Sequence, residues 1–252
     1  MRPVIFALLI AIGLTALPGH AQTQEDYMYV QMPDTDGWDV APYPLNRILA
    51  DDYPSSAATG PITRIDIWVS FAGYNANTPP LIDGDFTVRL HFDENGHPSC
   101  GACWARSYGP TSGNPYQIEY AGEGDQGWLQ PDAYREHDHD SFFRISFDTG
   151  PNPPAYGGSV WLAVVLPQTN PAIGWKSSDY PRAIEPENDQ PAKWAIGSGD
   201  NLTWFDITNP LPGGEFGMPL NLAFALIPEP GTLTLLMVGG GAGLVRRRRV
   251  ID

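Results

Sequence analysis

Glu136-His137-Asp138-His139-Asp140 is the densest run of side chains able to do chemistry. Imidazoles with carboxylates suit zinc or another transition metal, and carboxylates alone suit Ca²⁺. In an extended chain His137 and His139 point one way, and Glu136, Asp138 and Asp140 the other. The candidate metal set is therefore His137, His139, Asp138 and Asp140. The run does not match the His-Glu-x-x-His helix of zinc proteases. Its place between Pro131 and the Phe142 segment predicts an exposed, solvated loop. A second acidic group, Asp34, Asp36 and Asp39 around Gly37, has Asp51 and Asp52 further on. It lacks the bidentate Glu of an EF-hand loop, so a turn with Asx-type hydrogen bonds is the simpler reading. A structural calcium is the one cofactor these residues leave open; nothing else in the chain calls for one.

Cys100 and Cys103 stand in Cys-Gly-Ala-Cys. A redox pair needs a βαβ setting, haem attachment needs His where Trp104 stands, and a zinc site through His91 or His97 lacks a second Cys pair. In an oxidising compartment the expected state is a local disulfide. Serine hydrolase chemistry lacks its frame: Gly197-Ser198-Gly199 is not Gly-x-Ser-x-Gly. A glycosidase needs two carboxylates at a set separation, and the acids are too many for the sequence to single out a pair.

Eight tryptophans complete the inventory. Indole faces stack on the C–H faces of sugars. Trp68 lies beside Asp66 and opposite Ile65, Ile67 and Val69; Trp204 alternates with Phe205 near Asp206. These two are the glycan candidates. Most of the others belong to the core, where a tryptophan buries about 150–250 Å².

The elements that must position these residues are strands. Ile65, Ile67, Val69 and Phe71 alternate with polar residues or Trp68. Phe86, Val88, Leu90 and Phe92 do the same, as do Phe143, Ile145 and Phe147, and Leu222, Phe224 and Leu226. Period two with one apolar face means half-buried strands. Val160 to Leu166, apolar on both faces, predicts a central strand. Residues 116–120, 173–176, 193–196 and 203–207 are shorter candidates. Turns such as Asp83-Gly84 and Asn95-Gly96 separate them. No helical spacing runs for ten residues in residues 22–227. The expected fold is all-β, one antiparallel β-sandwich, jelly-roll-like in size, over residues 22–227.

The ends read differently. Arg2, an apolar run from Val4 to Leu17 and Pro18-Gly19-His20-Ala21 form a secretory signal peptide over residues 1–21. At the other end, the apolar, Gly-rich segment 231–245 precedes Arg246, Arg247, Arg248 and Arg249. By the positive-inside rule those arginines stay cytoplasmic while the body lies outside. Between residues 22 and 227 there are 27 acids and 9 bases, a formal charge of −18. Such a surface repels nucleic acid and anionic membranes, so the only membrane contact expected is through the tail.

Ile227-Pro228-Glu229-Pro230-Gly231-Thr232-Leu233, the apolar stretch and the arginine cluster together resemble the PEP-CTERM sorting tail, here residues 228–252. That resemblance implies a membrane protease, an exosortase, as partner beside the secretion machinery. Pro228, Glu229 and Pro230 are then a processing motif. The precursor is anchored in the inner membrane and the mature form lies at the cell surface or in the extracellular matrix. The body has its own resemblance. Pro33-Asp34-Thr35-Asp36-Gly37-Trp38-Asp39-Val40, Leu49-Ala50-Asp51-Asp52-Tyr53, Gly60 to Trp68, Gly174-Trp175-Lys176-Ser177-Ser178 and Leu222 to Leu226 follow in this order. They are similar to an uncharacterised β-rich domain of exported, planctomycete-type bacterial proteins. That domain brings no activity with it. The expected function is a non-catalytic surface or matrix protein that binds polysaccharide. The alternatives are an extracellular carbohydrate-active hydrolase and a purely structural surface protein.

Overall fold

Alternating apolar residues become strands throughout the body, and the fold is all-β. The computed structural model describes residues 27–42, 48–53, 60–99, 101–156, 159–178, 190–198, 201–211 and 217–228. The signal segment 1–21, Cys100, Glu229, Pro230, the segment 231–245 and Arg246 to Arg249 lie outside the described residues. The strands are β1 (Tyr29–Gln31), β2 (Trp38–Val40), β3 (Ile48–Tyr53), β4 (Gly60–Phe71), β5 (Phe86–Phe92), β6 (Trp104–Tyr108) and β7 (Gln117–Gln130). Then come β8 (Ala133–Asp148), β9 (Ala155–Tyr156), β10 (Val160–Val165), β11 (Ile173–Lys176), β12 (Lys193–Ser198), β13 (Asn201–Asp206) and β14 (Phe224–Pro228).

They form two sheets. One runs β1-β14-β4-β11-β2-β7-β8, with β9 also on β4; the other runs β13-β12-β3-β10-β5-β6. Neighbours are antiparallel except β2 and β7, which run parallel. The alternating faces meet in one main core. Ile65, Ile67, Val69 and Phe71 of β4 and Phe143, Ile145 and Phe147 of β8 pack with Leu49, Val88, Leu90, Leu162 and Val164 of the other sheet. Burying a side chain of this kind stabilises by about 1.5–3 kcal/mol. β10, apolar on both faces, lies between β3 and β5, the central place its composition predicts.

Each sheet also builds a second interior on its outer side. In the first sheet β8 pairs not only β7 but also β4, from Arg64↔Asp148 to Ser70↔Phe142. Strands β4, β11, β2, β7 and β8 therefore close into a ring. The second sheet curls instead. The rings of Trp204 on β13 and His91 on β5 stand 6.5 Å apart, with β12, β3 and β10 between their strands. In a flat sheet such strands are about 19 Å apart. Alanines 50, 163 and 195 line the inside of the curl, and Trp161 fills it.

One expectation fails here. Residues 136–140 are not an exposed loop; they lie inside β8. His137, at φ 53°, breaks the alternation. Its side chain is 74% exposed while that of His139 is fully buried, so the two imidazoles do not share a face.

Candidate functional site

The ring encloses a buried ionic cluster. Asp39 sits between Trp38 and Val40, which face the main core, so Asp39 faces the ring. Ser70 between Val69 and Phe71, and Lys176 after Trp175, turn inward by the same alternation. Asp39 Oδ1 accepts from Ser70 Oγ at 2.7 Å, and Oδ2 faces His139 Nε2 at 3.0 Å and Lys176 Nζ at 3.5 Å. Lys176 also donates to Gln126 Oε1 at 2.6 Å, and Gln126 Nε2 donates to the Asp140 carbonyl at 2.5 Å. The ammonium stands 5.4 Å from the Phe142 ring centre. Trp128 packs edge-on against His139. Gly174 makes room for it: a Cβ there would lie 3.0 Å from Trp128 and 3.2 Å from Asp39.

Both nitrogens of His139 face carboxylates, since Nδ1 lies 3.1 Å from Asp138 Oδ2. Carboxylates only accept, so both nitrogens must carry protons and the ring is an imidazolium. Burial pulls the His139 pKa down, but the hydrogen bonds and charges of Asp39 and Asp138 outweigh it and hold it above the usual value. Burial pushes Asp39 up; the Lys176 charge and the His139 bond outweigh that and hold it below the carboxylate range. Asp138 is anchored in turn by Arg135 at 2.8 Å and the Gly73 amide at 2.8 Å.

This cluster has the residue types of a catalytic triad but not the order. A nucleophilic serine needs the histidine between itself and the aspartate. Here Asp39 stands between Ser70 and His139, and all three are buried. The chemistry available is cross-linking of five strands by charge-assisted hydrogen bonds.

Solvent-facing concavities lie elsewhere, on either side of the β12–β13 hairpin. Alternation places Trp194 on the main-core face and Ala195, Leu202 and Trp204 on the curl face. At the mouth of the curl Glu94, Asn95, His97, Pro98, Leu202, Thr203 and Trp204 line a cleft of about 430 Å³. Behind Trp204, His91 is buried with Nε2 unpartnered; its Nδ1 pairs with the Ser99 carbonyl at 3.0 Å. Burial lowers the His91 pKa, so this ring is neutral. On the other face, Trp194 joins Asp132, Tyr134, Thr208 and Asn209 around a cleft of about 320 Å³.

Residues 27–227 match the family described as a domain of unknown function, DUF7901. The chain belongs to that family. No curated protein and no solved structure matches it.

In this DUF7901 domain the residues singled out by sequence scatter. His139 and Asp138 enter the ionic cluster, whereas His137 pairs with Asp125 at 2.6 Å and the Asp140 backbone amide donates to Asn75 Oδ1 at 2.8 Å. Among the described residues no three His, Cys, Asp or Glu are grouped to hold a metal ion. Asp34 and Asp36 form the turn, with the Asp36 amide on Asp34 Oδ1 at 3.1 Å. Trp68 is 5% exposed among Phe142, Ala223 and Ala225, so it offers no sugar platform; Trp204 lines a cleft. The Cys103 Sγ lies 3.1 Å from the Leu90 carbonyl; the pairing predicted for it involves Cys100, outside the described residues. Sequence reasoning missed Ser70, Gln126, Lys176 and Trp194. The signal for two of them was present: a polar residue next to a core aromatic in β4 and β11.

Proposed function

We propose that the protein is an exported, exosortase-sorted component of the cell surface or extracellular matrix, and that its domain binds polysaccharide without catalysis. The observation that carries the binding half is the Trp204 cleft. An indole beside exposed carboxylate, amide and imidazole groups supplies both halves of sugar recognition, a stacking face and hydrogen-bonding partners for hydroxyls. A hydrolase would need two carboxylates flanking one bond. The described lining of this cleft holds one, Glu94. Of the buried aspartates, Asp39 is held in the ionic cluster, Asp66 pairs with Arg64 and Arg144, and Asp51 and Asp52 accept from the backbone amides of Leu222 and Gln190. The sorting half rests on the tail. Pro228, the first residue of the Pro-Glu-Pro sequence, is the last described residue of β14, and its carbonyl accepts from Thr63 Oγ1 at 2.9 Å.

Glycan binding by the full chain and its Trp204→Ala variant tests the binding half. Saturable binding that falls at least tenfold in the variant is the expected result; equal binding by both would refute the assignment. Glu229→Ala tests the sorting half: the variant should accumulate in the inner-membrane fraction. Normal delivery of that variant to the surface would rule sorting through this motif out.

A further inference from the structure

The two clefts share one hairpin. Trp194 pairs across the ladder with Phe205, and Trp204 with Ala195. Successive side chains on a strand point to opposite faces, so the two indoles belong to opposite sides of the same two strands. β13 is the edge of its sheet, and a solvent-facing cleft opens beside the hairpin on each of its faces. Each cleft repeats one chemistry: Trp204 with Glu94, Asn95 and His97 on one side, Trp194 with Asp132 and Tyr134 on the other. Both volumes fall in the range of small-ligand sites, about 300–1,000 Å³. Neither described lining contains Lys or Arg, and each contains a carboxylate. A uronate or sulfate would meet like charge in either cleft, on a body already strongly acidic.

From these observations, and resting on the polysaccharide-binding reading above, we infer that the β12–β13 hairpin is a two-sided binding element that holds two separate uncharged polysaccharide strands and bridges them. The opposed faces decide this over one long site. A single sugar chain cannot stack on both indoles without wrapping the hairpin edge, whereas two chains reach them independently. The bridge would make the protein a cross-linker of a neutral matrix.

The test is calorimetric titration of the full chain, held in a non-glycosidic detergent, with neutral hexasaccharides from β-glucan, mannan and xylan and with a uronic acid hexamer as counterpart. Two hexamers bound per chain for a neutral sugar, with at least tenfold weaker uptake of the uronate, is the expected result. Trp204→Ala should leave one site. So should Asp132→Ala combined with Tyr134→Ala, two exposed positions chosen because Trp194 also packs against the core. Both variants should still bind the neutral polysaccharide but no longer raise its viscosity. One hexamer per chain, loss of both sites in a single folded variant, or equal binding of the uronate would overturn the inference and leave the binding reading standing. No binding of any hexamer would overturn both.

Discussion

The ring on the first sheet and the curl on the second solve the same problem with opposite chemistry. Each covers the outer side of a sheet that the main core leaves bare. The ring is filled by Asp39, Lys176, His139, Gln126 and Ser70. The curl is filled by Trp161 over alanines, with Lys193 Nζ 5.5 Å from the indole centre and 2.5 Å from Asp206. A closed ring seals its contents, so its charges neutralise one another and meet no ligand. An open curl has a mouth, and a residue at the mouth, Trp204, is left half-buried. The region with the more reactive residue types is therefore the structural one, and the region with the blander types carries the candidate site.

The sharpest way to break this comparison is Asp39→Ala. It leaves Lys176 and the imidazolium of His139 buried without their shared partner. Removing one member of a buried pair costs about 3–5 kcal/mol. Denaturant unfolding should show that loss; a change below about 1 kcal/mol would mean the ring is not held by its charges.

The matching change in the curl is Ala163→Leu. Ala163 is fully buried beside Ala50, so added methylenes must push Trp161 or the strands apart. Overpacking of this kind costs about 1–3 kcal/mol. Wild-type stability would show that the curl is looser than its alanine lining implies.

These two outcomes also mark what the sequence could and could not say. The strands of the main core were legible because β4, β5, β8 and β14 keep a strict apolar period. The central place of β10 followed from its two apolar faces. The ring was not legible. Ser70 and Asp39 occupy the positions that alternation assigns to solvent, and only the pairing of β8 with β4, an interaction distant in sequence, encloses them. Residues 136–140 misled for a related reason: a dense polar run reads as a loop, but bulges between β7 and β8 and the positive φ of His137 sort its members to opposite surroundings. The Trp204 cleft was half legible, since its indole stood out while its neighbours Glu94 and His97 come from a distant turn.

A smaller effect distinguishes the two interiors by pH. His139 has a raised pKa in the folded protein, because Asp39 and Asp138 favour its charged form. Its stabilising contribution is complete below the unfolded value of about 6.5 and is lost as pH rises through the folded value. Asp39, held low by Lys176 and His139, gives the opposite limb, lost as pH falls through its own folded value. Unfolding free energy should therefore decline on the alkaline side, and the decline should shrink in Asp138→Asn. His91 in the curl is neutral and adds no such limb. A flat profile from pH 6 to 9 would remove the imidazolium from the account.

The smallest effect on stability is expected from the same deletion made at the mouth of the curl. Glu94→Ala removes a carboxylate, as Asp39→Ala does, but from an exposed position. Water already solvates that group, so unfolding should shift by no more than about 0.5 kcal/mol. Binding is where Glu94 should count: the loss of an acceptor for a sugar hydroxyl should weaken neutral hexasaccharide several-fold and relax the rejection of uronate. If Glu94→Ala instead unfolded the protein, the mouth would be a closed interior like the ring, and the division between a sealed ionic core and an open aromatic one would fail. If it changed neither stability nor sugar uptake, the cleft would keep its shape but lose its assigned hydrogen-bonding partner, and Asn95 and His97 would be the groups to delete next.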